Sequence, residues 1–79
     1  FHVFPNPSSS LINIKHNLIN QDVQIIIFDL NGKIMLSKKE HIFNNDTPIE
    51  IDVSTLPKAS YEIRLISDGF TIRDFIVVH

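Results

Sequence analysis

The sequence predicts an all-β domain, an antiparallel sandwich of about seven strands. Apolar residues alternate with polar ones at a period of two, which is typical of half-buried strands. The chain has only two glycines, and each follows an Asn or Asp in a pair typical of hairpin turns. With 79 residues, of which 43% are hydrophobic and 20% charged, the chain has the material for one small core and no more.

Seven segments carry the alternating pattern, with β-branched and aromatic side chains on one side of each pleat. Residues 49–53 show it most clearly, because isoleucines and a valine alternate with Glu50 and Asp52. The predicted strands are Phe1–Phe4, Leu11–Lys15, Val23–Phe28, Lys33–Ser37, Ile49–Val53, Ser60–Ile66 and Phe70–Val78. Their spacing suits two packed sheets.

Two hairpin turns are predicted from dipeptides. Asn31–Gly32 joins the third and fourth strands, and Asp68–Gly69 joins the last two. Asn, Asp and Gly tolerate the positive φ angles that a type I′ turn requires at both central residues. The sequence therefore predicts two type I′ hairpins.

The longer connections are polar. Phe43–Pro48 predicts a loop, and Glu40–Phe43 is either an extra short edge strand or part of that loop. Ser54–Ser60 predicts a crossover between the sheets, with Leu56 turned inward.

Two strands are apolar on both sides of the pleat. In Val23–Phe28, Ile26 and Phe28 are apolar although they alternate with the predicted core positions. Such a strand is either covered on both faces or exposes an apolar side to a partner, and scattered exposed apolar residues are the alternative explanation. In the last strand the alternation breaks at Arg73–Asp74, where a bulge would return Phe75 and Val77 to the buried face.

The stretch "FPNPSSSLINI" begins with a stiff corner. Pro5 and Pro7 fix φ and lack a backbone N–H, and they hold Phe4 and Asn6 towards extended geometry. The corner therefore ends the first strand at Phe4, at the edge of the sandwich.

Composition excludes several classes of function. A net charge of −2 gives no electrostatic case for nucleic acid or an anionic membrane surface, and the lack of cysteine excludes disulfides and thiolate metal sites. The longest apolar runs, Ile25–Phe28 and Phe75–Val78, are too short to span a bilayer as a helix. The chain does not begin with Met, and we expect a fragment of a longer protein.

The sequence predicts no catalytic, metal or cofactor site and no small-molecule substrate. The four histidines lack ligand spacing, and Ser8–Ser10 have no histidine base at a recognisable spacing. Asn44, Asn45 and Asp46 could offer oxygen ligands to calcium, but we expect an ordinary solvated loop there.

Three motifs, in order, resemble the C-terminal sorting domain of type IX secretion cargo in Bacteroidetes. An aromatic followed by Pro-Asn-Pro opens the chain, an Asp-x-x-Gly-Lys turn follows the third strand, and a Leu-Pro motif precedes a tyrosine. The matching residues are Phe4, Pro5, Asn6 and Pro7; Asp29, Gly32 and Lys33; and Leu56, Pro57 and Tyr61. The resemblance covers essentially the whole chain.

This resemblance implies an immunoglobulin-like sandwich and a secretion signal, not an enzyme. Residues 1–79 would be one C-terminal domain of a larger secreted protein that passes through the periplasm. The type IX outer-membrane apparatus would recognise the domain and guide the parent to the cell surface or the medium. A sortase-like peptidase would remove the domain, and the cargo could be anchored at the surface.

We expect two recognition features, the opening corner and the end of the last strand. Their residues are Phe4, Pro5, Asn6, Pro7, Phe75, Ile76, Val77 and Val78, whereas the other two motifs are expected to be structural. An immunoglobulin-like accessory or adhesion module that binds glycan or protein is the alternative function, and a structural spacer is a third. The two-sided apolar strand would also allow a homodimer, through strand edges or faces.

Overall fold

A computed structural model describes residues 2–5 and 10–79, and it folds them into seven strands and no helix. The strands are β1 (His2–Phe4), β2 (Leu11–Lys15), β3 (Gln21–Phe28), β4 (Ile34–Ile42), β5 (Ile49–Asp52), β6 (Ala59–Ser67) and β7 (Phe70–Val78). The predicted all-β class and strand number are confirmed. Within the described residues no helix is long and apolar enough to cross a membrane.

Two antiparallel sheets pack face to face. A three-stranded sheet has the order β1-β2-β5, and a four-stranded sheet has the order β4-β3-β6-β7. The hairpins β3–β4 and β6–β7 stay within one sheet, whereas the connections β2–β3, β4–β5 and β5–β6 cross between sheets. The neighbouring strands β3, β6 and β7, which face a smaller sheet, form the predicted immunoglobulin-like arrangement.

The core lies between the sheets and follows the predicted alternation. In β6, for example, Tyr61, Ile63 and Leu65 are buried, while Glu62 and Arg64 between them are not. A fully buried aliphatic side chain contributes about 1.5–3 kcal/mol relative to an exposed one. The fully buried side chains are Ile12, Ile14, Ile25, Ile27, Ile51, Val53, Tyr61, Ile63, Leu65 and Ile76.

The predicted end of β4 is wrong. The sequence pattern predicts a stop at Ser37, but the strand continues without interruption to Ile42 and includes most of Glu40–Phe43. Its polar second half pairs with the start of β3, where Gln21 lies opposite Ile42 and Val23 opposite Glu40. A polar run can remain a strand here because β4 is at the edge of the sheet, so its side chains still reach water. The loop at residues 43–48 is confirmed.

Both glycines lie in hairpin turns as predicted, but the turns are not type I′. Gly32 and Gly69 each have φ of 88°, whereas neither Asn31 nor Asp68 has a positive φ. In the first turn the N–H of Gly32 donates to the Asp29 carbonyl at 3.0 Å, which places the positive φ after the turn. The register of β3 and β4 shifts beside this turn, at Ile27/Phe28. A bulge with glycine in the left-handed region accounts for this geometry.

The bulge predicted at Arg73–Asp74 is also wrong. β6 and β7 pair in continuous register, and Asp74 simply occupies an inward position opposite Ile63. Asp74 is nonetheless exposed, because β7 is an edge strand. Without a bulge, Phe75 and Val77 point to solvent instead of returning to the buried face.

Candidate functional site

The side chains of the four-stranded sheet that point away from the core form the outer face. Strand register places Ile34, Phe28, Glu62 and Phe75 in one row across this face, from β4 to β7. Ile34 is 56% exposed and Phe75 is 61% exposed. Large apolar side chains therefore face solvent at both edges of the sheet.

A shallow groove of about 250 Å³ runs along this row next to the β3–β4 turn. The turn contributes Leu30, which is 67% exposed, and the last strand contributes Phe75. The groove is lined by Phe28, Asp29, Leu30, Gly32, Glu62, Arg64 and Phe75. The structure thus brings one motif and one predicted recognition residue to the same surface, although they are more than forty positions apart in the sequence.

Arg64 organises the floor of the groove. Its guanidinium carbon lies 4.5 Å from the centre of the Phe28 ring, and its Nε donates to Glu62 Oε1 at 2.5 Å. Ile26, opposite Arg64 in the register, is only 9% exposed although it is not part of the core cluster between the sheets. A long arginine stem covers apolar surface while its charged end stays near water. The second apolar side of β3 is therefore partly covered by its own sheet.

Asp29 explains the Asp-x-x-Gly-Lys motif. Its Oδ1 accepts hydrogen bonds from the backbone N–H groups of Asn31 and Lys33, both at 2.9 Å. Its backbone N–H donates to the Lys33 carbonyl at 2.9 Å, and its own carbonyl accepts from Gly32. Gly32 supplies the positive φ. These residues hold the turn that forms one end of the groove.

The Leu-Pro-x-x-x-Tyr motif holds the crossover between the sheets. Leu56 is buried, as predicted, and its N–H donates to the Val53 carbonyl at 3.0 Å. The buried Tyr61 donates its hydroxyl hydrogen to the Pro57 carbonyl, four residues earlier. This arrangement is the tyrosine corner of Greek-key sandwiches. None of its residues lines the groove, and Leu56 and Tyr61 are buried, which favours a structural role for this motif.

The opening corner lies elsewhere. Phe4 pairs with Asn13 on the solvent side of the three-stranded sheet, and its ring stacks on His2 with centroids 5.6 Å apart. Pro5 is exposed, whereas Asn6 and Pro7 lie outside the described residues. The structure therefore does not bring Phe4 together with Phe75.

The last strand divides into two sets. Ile76 and Val78 are buried in the core, whereas Phe75 and Val77 are on the outer face. Of the four residues predicted for recognition here, the alternate pair at 75 and 77 is thus accessible to a partner and the other pair is not.

Sequence reasoning missed three residues of the groove, Leu30, Glu62 and Arg64. The two-sided apolar pattern of β3 was the signal that pointed to this face, since Phe28 belongs to it. The charged residues gave no signal, because alternating Glu and Arg in a strand are typical of any solvated face.

A wider depression of about 680 Å³ lies near the other end of the sheet. There His41 Nδ1 is 2.7 Å from Asp22 Oδ1, and the His41 ring contacts Phe43 edge-on at 4.5 Å. Its lining combines polar and charged residues with Val23 and Ile66, and it includes none of the motif residues. Among residues 2–5 and 10–79 no group of three or more potential ligands could hold a metal ion. The groove beside Phe75 is therefore the better candidate.

The model of one protein family, the secretion system C-terminal sorting domains, matches residues 2–79. The chain belongs to this family. The predicted resemblance is confirmed, and the sorting domain acts as a C-terminal signal for type IX secretion. Membership implies interaction with the type IX apparatus and export towards the cell surface or the extracellular space, and the family is not one of enzymes. No curated protein matches the chain.

Proposed function

We propose that the sorting domain is recognised through the outer face of its four-stranded sheet. One observation carries the proposal: Phe75, on the last strand, is 61% exposed and lines the same groove as the Asp29–Gly32 turn. An exposed phenylalanine on a strand has an unfavourable contact with water, which a partner would remove. A secretion signal needs such an accessible feature.

The composition of the groove supports a protein partner. Aromatic residues and arginine are enriched in the central parts of protein interfaces, where they bury large areas and make directional contacts. Phe28, Phe75 and Arg64 give the groove this composition. Rigidity also favours binding, because the groove is built on paired strands and a hydrogen-bonded turn.

The steps before and after recognition are part of the same proposal. Residues 1–79 form one C-terminal domain of a larger secreted protein, which passes through the periplasm before it reaches the apparatus. A sortase-like peptidase then removes the domain, and the cargo is released or anchored at the surface. After cleavage, the exposed apolar face would also favour a homodimer.

A reporter fusion tests the function. The chain is placed behind a periplasm-directed fluorescent protein in a Bacteroidetes host, with and without a working type IX apparatus. We expect reporter at the surface or in the medium only when the apparatus works, and a smaller product if a peptidase removes the domain. Reporter retained in the periplasm of both strains would contradict the proposal and favour the accessory-module alternative.

A matched pair of substitutions tests the surface. Phe75→Ser removes an exposed ring from the groove, and Phe43→Ser removes a ring that is 75% exposed in the β4–β5 loop. We expect Phe75→Ser to reduce export by about tenfold, the usual scale for a central interface residue, and Phe43→Ser to leave it unchanged. Equal export from the two variants would show that recognition occurs elsewhere.

A further inference from the structure

Two arginines face each other on the outer face. Arg73 of β7 is directly opposite Arg64 of β6, and both side chains point away from the core. Directly opposite residues on one face of an antiparallel pair have Cβ atoms about 4.5–5.5 Å apart. At this distance two like charges destabilise the pairing.

Only one of the two charges is compensated within the described residues. Arg64 has the Glu62 carboxylate at 2.5 Å and lies against the Phe28 ring. No carboxylate among residues 2–5 and 10–79 pairs with Arg73, since the neighbouring Asp74 is on the opposite side of the pleat and accepts from the Phe75 N–H. An exposed guanidinium thus stands beside an exposed phenylalanine, two positions along the same strand.

We propose that the outer face binds an acidic, apolar segment of a protein of the secretion apparatus, with Arg73 as its ion-pair partner and Phe75 as its apolar anchor. This inference rests on the proposed function and adds the chemistry of the partner. The negative charge of a carboxylate placed over Arg73 would offset the repulsion between Arg73 and Arg64. Its two oxygens would also accept hydrogen bonds from the Arg73 guanidinium in a planar, two-bond geometry. Apolar side chains next to that carboxylate, on the side of the β3–β4 turn, would cover Phe75 and Leu30, which are both exposed.

Charge complementarity of this kind contributes to specificity as much as to affinity. The domain as a whole carries a net charge of −2, so attraction of an acidic segment depends on this local cationic patch and not on the overall charge. The same patch would reject a basic segment of equal hydrophobicity.

Reversal of one charge gives a test in which recognition and stability change in opposite directions. Arg73→Glu would place a carboxylate opposite Arg64, and an opposite-charge cross-strand pair favours the fold. We therefore expect the purified variant to unfold at a temperature equal to or above that of the parent chain. In the fusion assay we expect its export to fall by about tenfold, because its carboxylate would repel the partner's.

Two further variants are the controls. Lys15→Glu makes the same change in net charge at an exposed strand position on the solvent side of the three-stranded sheet, and we expect full export. Arg73→Lys keeps the positive charge but loses the planar geometry, and we expect export between those of the parent and Arg73→Glu.

The outcomes separate this inference from the proposed function. Suppose that the parent is exported, Phe75→Ser is not, and Arg73→Glu is exported normally. This outcome would support recognition through the outer face but contradict an acidic partner. An Arg73→Glu variant that loses export because it unfolds would also contradict the inference. A lipid surface is tested by co-sedimentation with vesicles. If the parent chain binds phosphatidylglycerol vesicles but not phosphatidylcholine vesicles, and Arg73→Glu binds neither, the partner is an anionic lipid surface and not a protein.

Discussion

The two solvent-facing sides of the sandwich are built from strands of the same kind but differ in chemistry. On the three-stranded sheet the central positions are polar, with Asn13, Lys15 and Glu50 alternating with buried isoleucines. On the four-stranded sheet the corresponding side carries Phe75, Ile34 and other large apolar groups around a few charges. The larger sheet exposes more apolar surface than the smaller one, whose solvent side carries the large apolar residues Phe4 and Leu11 at its margins.

This difference shows which apolar surface the fold requires and which it does not. A sandwich needs one apolar side per sheet, and beyond that the three-stranded sheet exposes Phe4 and Leu11, at 36% and 46%. The additional apolar surface of the four-stranded sheet lowers solubility, and the core between the sheets does not use it. Such surface is typical of an interaction site, and here it is next to the turn that the family motif builds.

The largest expected effect separates the two sides of the last strand. Ile76→Ala removes a side chain that is 1% exposed, and we expect the free energy of unfolding to fall by about 2–5 kcal/mol because a cavity remains. Phe75→Ala on the adjacent position should change it by no more than about 0.5 kcal/mol. Urea unfolding followed by circular dichroism measures both. Similar losses would mean that the outer face belongs to the folding core.

The next prediction compares the free energy of unfolding after one substitution in each hairpin turn. Asp29→Ala removes the acceptor of two backbone hydrogen bonds, and we expect a loss of about 1–2 kcal/mol. Asp68→Ala is the matched control, because the side chain of Asp68 accepts no hydrogen bond within the described residues, and it should be nearly neutral. Urea unfolding measures both, and an equal cost would indicate that turn propensity, not the side-chain bonds, explains the motif.

A smaller effect tests the crossover that joins the two sheets. Tyr61→Phe keeps the buried ring but removes the hydrogen bond to the Pro57 carbonyl, and we expect a loss of about 1 kcal/mol. Export of the fusion should stay normal at a temperature where the variant is folded, because the Tyr61 side chain points into the core, on the opposite side of the sheet from the groove. Lost export in a folded Tyr61→Phe variant would assign this motif a role in recognition.

Most of the fold could be predicted from the alternation of apolar and polar residues, which indicates the strands, and from two glycines, which indicate the hairpin turns. Ile49 and Ile51 alternate with Glu50 and Asp52, whose carboxylates are too costly to bury. The alternation therefore predicts both the strand and the side of it that faces the core. The end of β4 could not be predicted in this way, because Ser37 to Glu40 are polar on both sides and become a strand only through pairing with β3. The local hydrophobic pattern of a segment does not show which strand it will pair with.

The candidate site was only partly predictable for a similar reason. Phe75 was named, but its orientation depended on whether β7 has a bulge, and this is decided by pairing along the whole β6–β7 hairpin. Arg64 and Arg73 are nine positions apart and become neighbours only through that register. A sequence pattern identifies which residues are unusual, whereas strand pairing determines which of them lie together.

The smallest expected effect concerns the polar side of the three-stranded sheet. Hydrogen bonds from the Ser54 hydroxyl and from its backbone N–H, which lies 2.9 Å from Oδ1, hold the pKa of Asp52 below its ordinary value of 3.8. A carboxylate whose pKa is lower in the folded state stabilises the fold above its unfolded pKa, and this contribution is lost as the pH falls through the lowered pKa.

Asp52→Asn should therefore remove a small part of the acid sensitivity of unfolding, measured as the unfolding temperature from about pH 6 to about pH 2. Ser54→Ala should remove a smaller part, since it deletes the hydroxyl donor and keeps the N–H. On the three-stranded sheet charged groups act locally on stability, so export of Asp52→Asn should match that of the parent at neutral pH. Reduced export from this variant would show that the polar side also contacts the apparatus, and recognition would then involve both sheets.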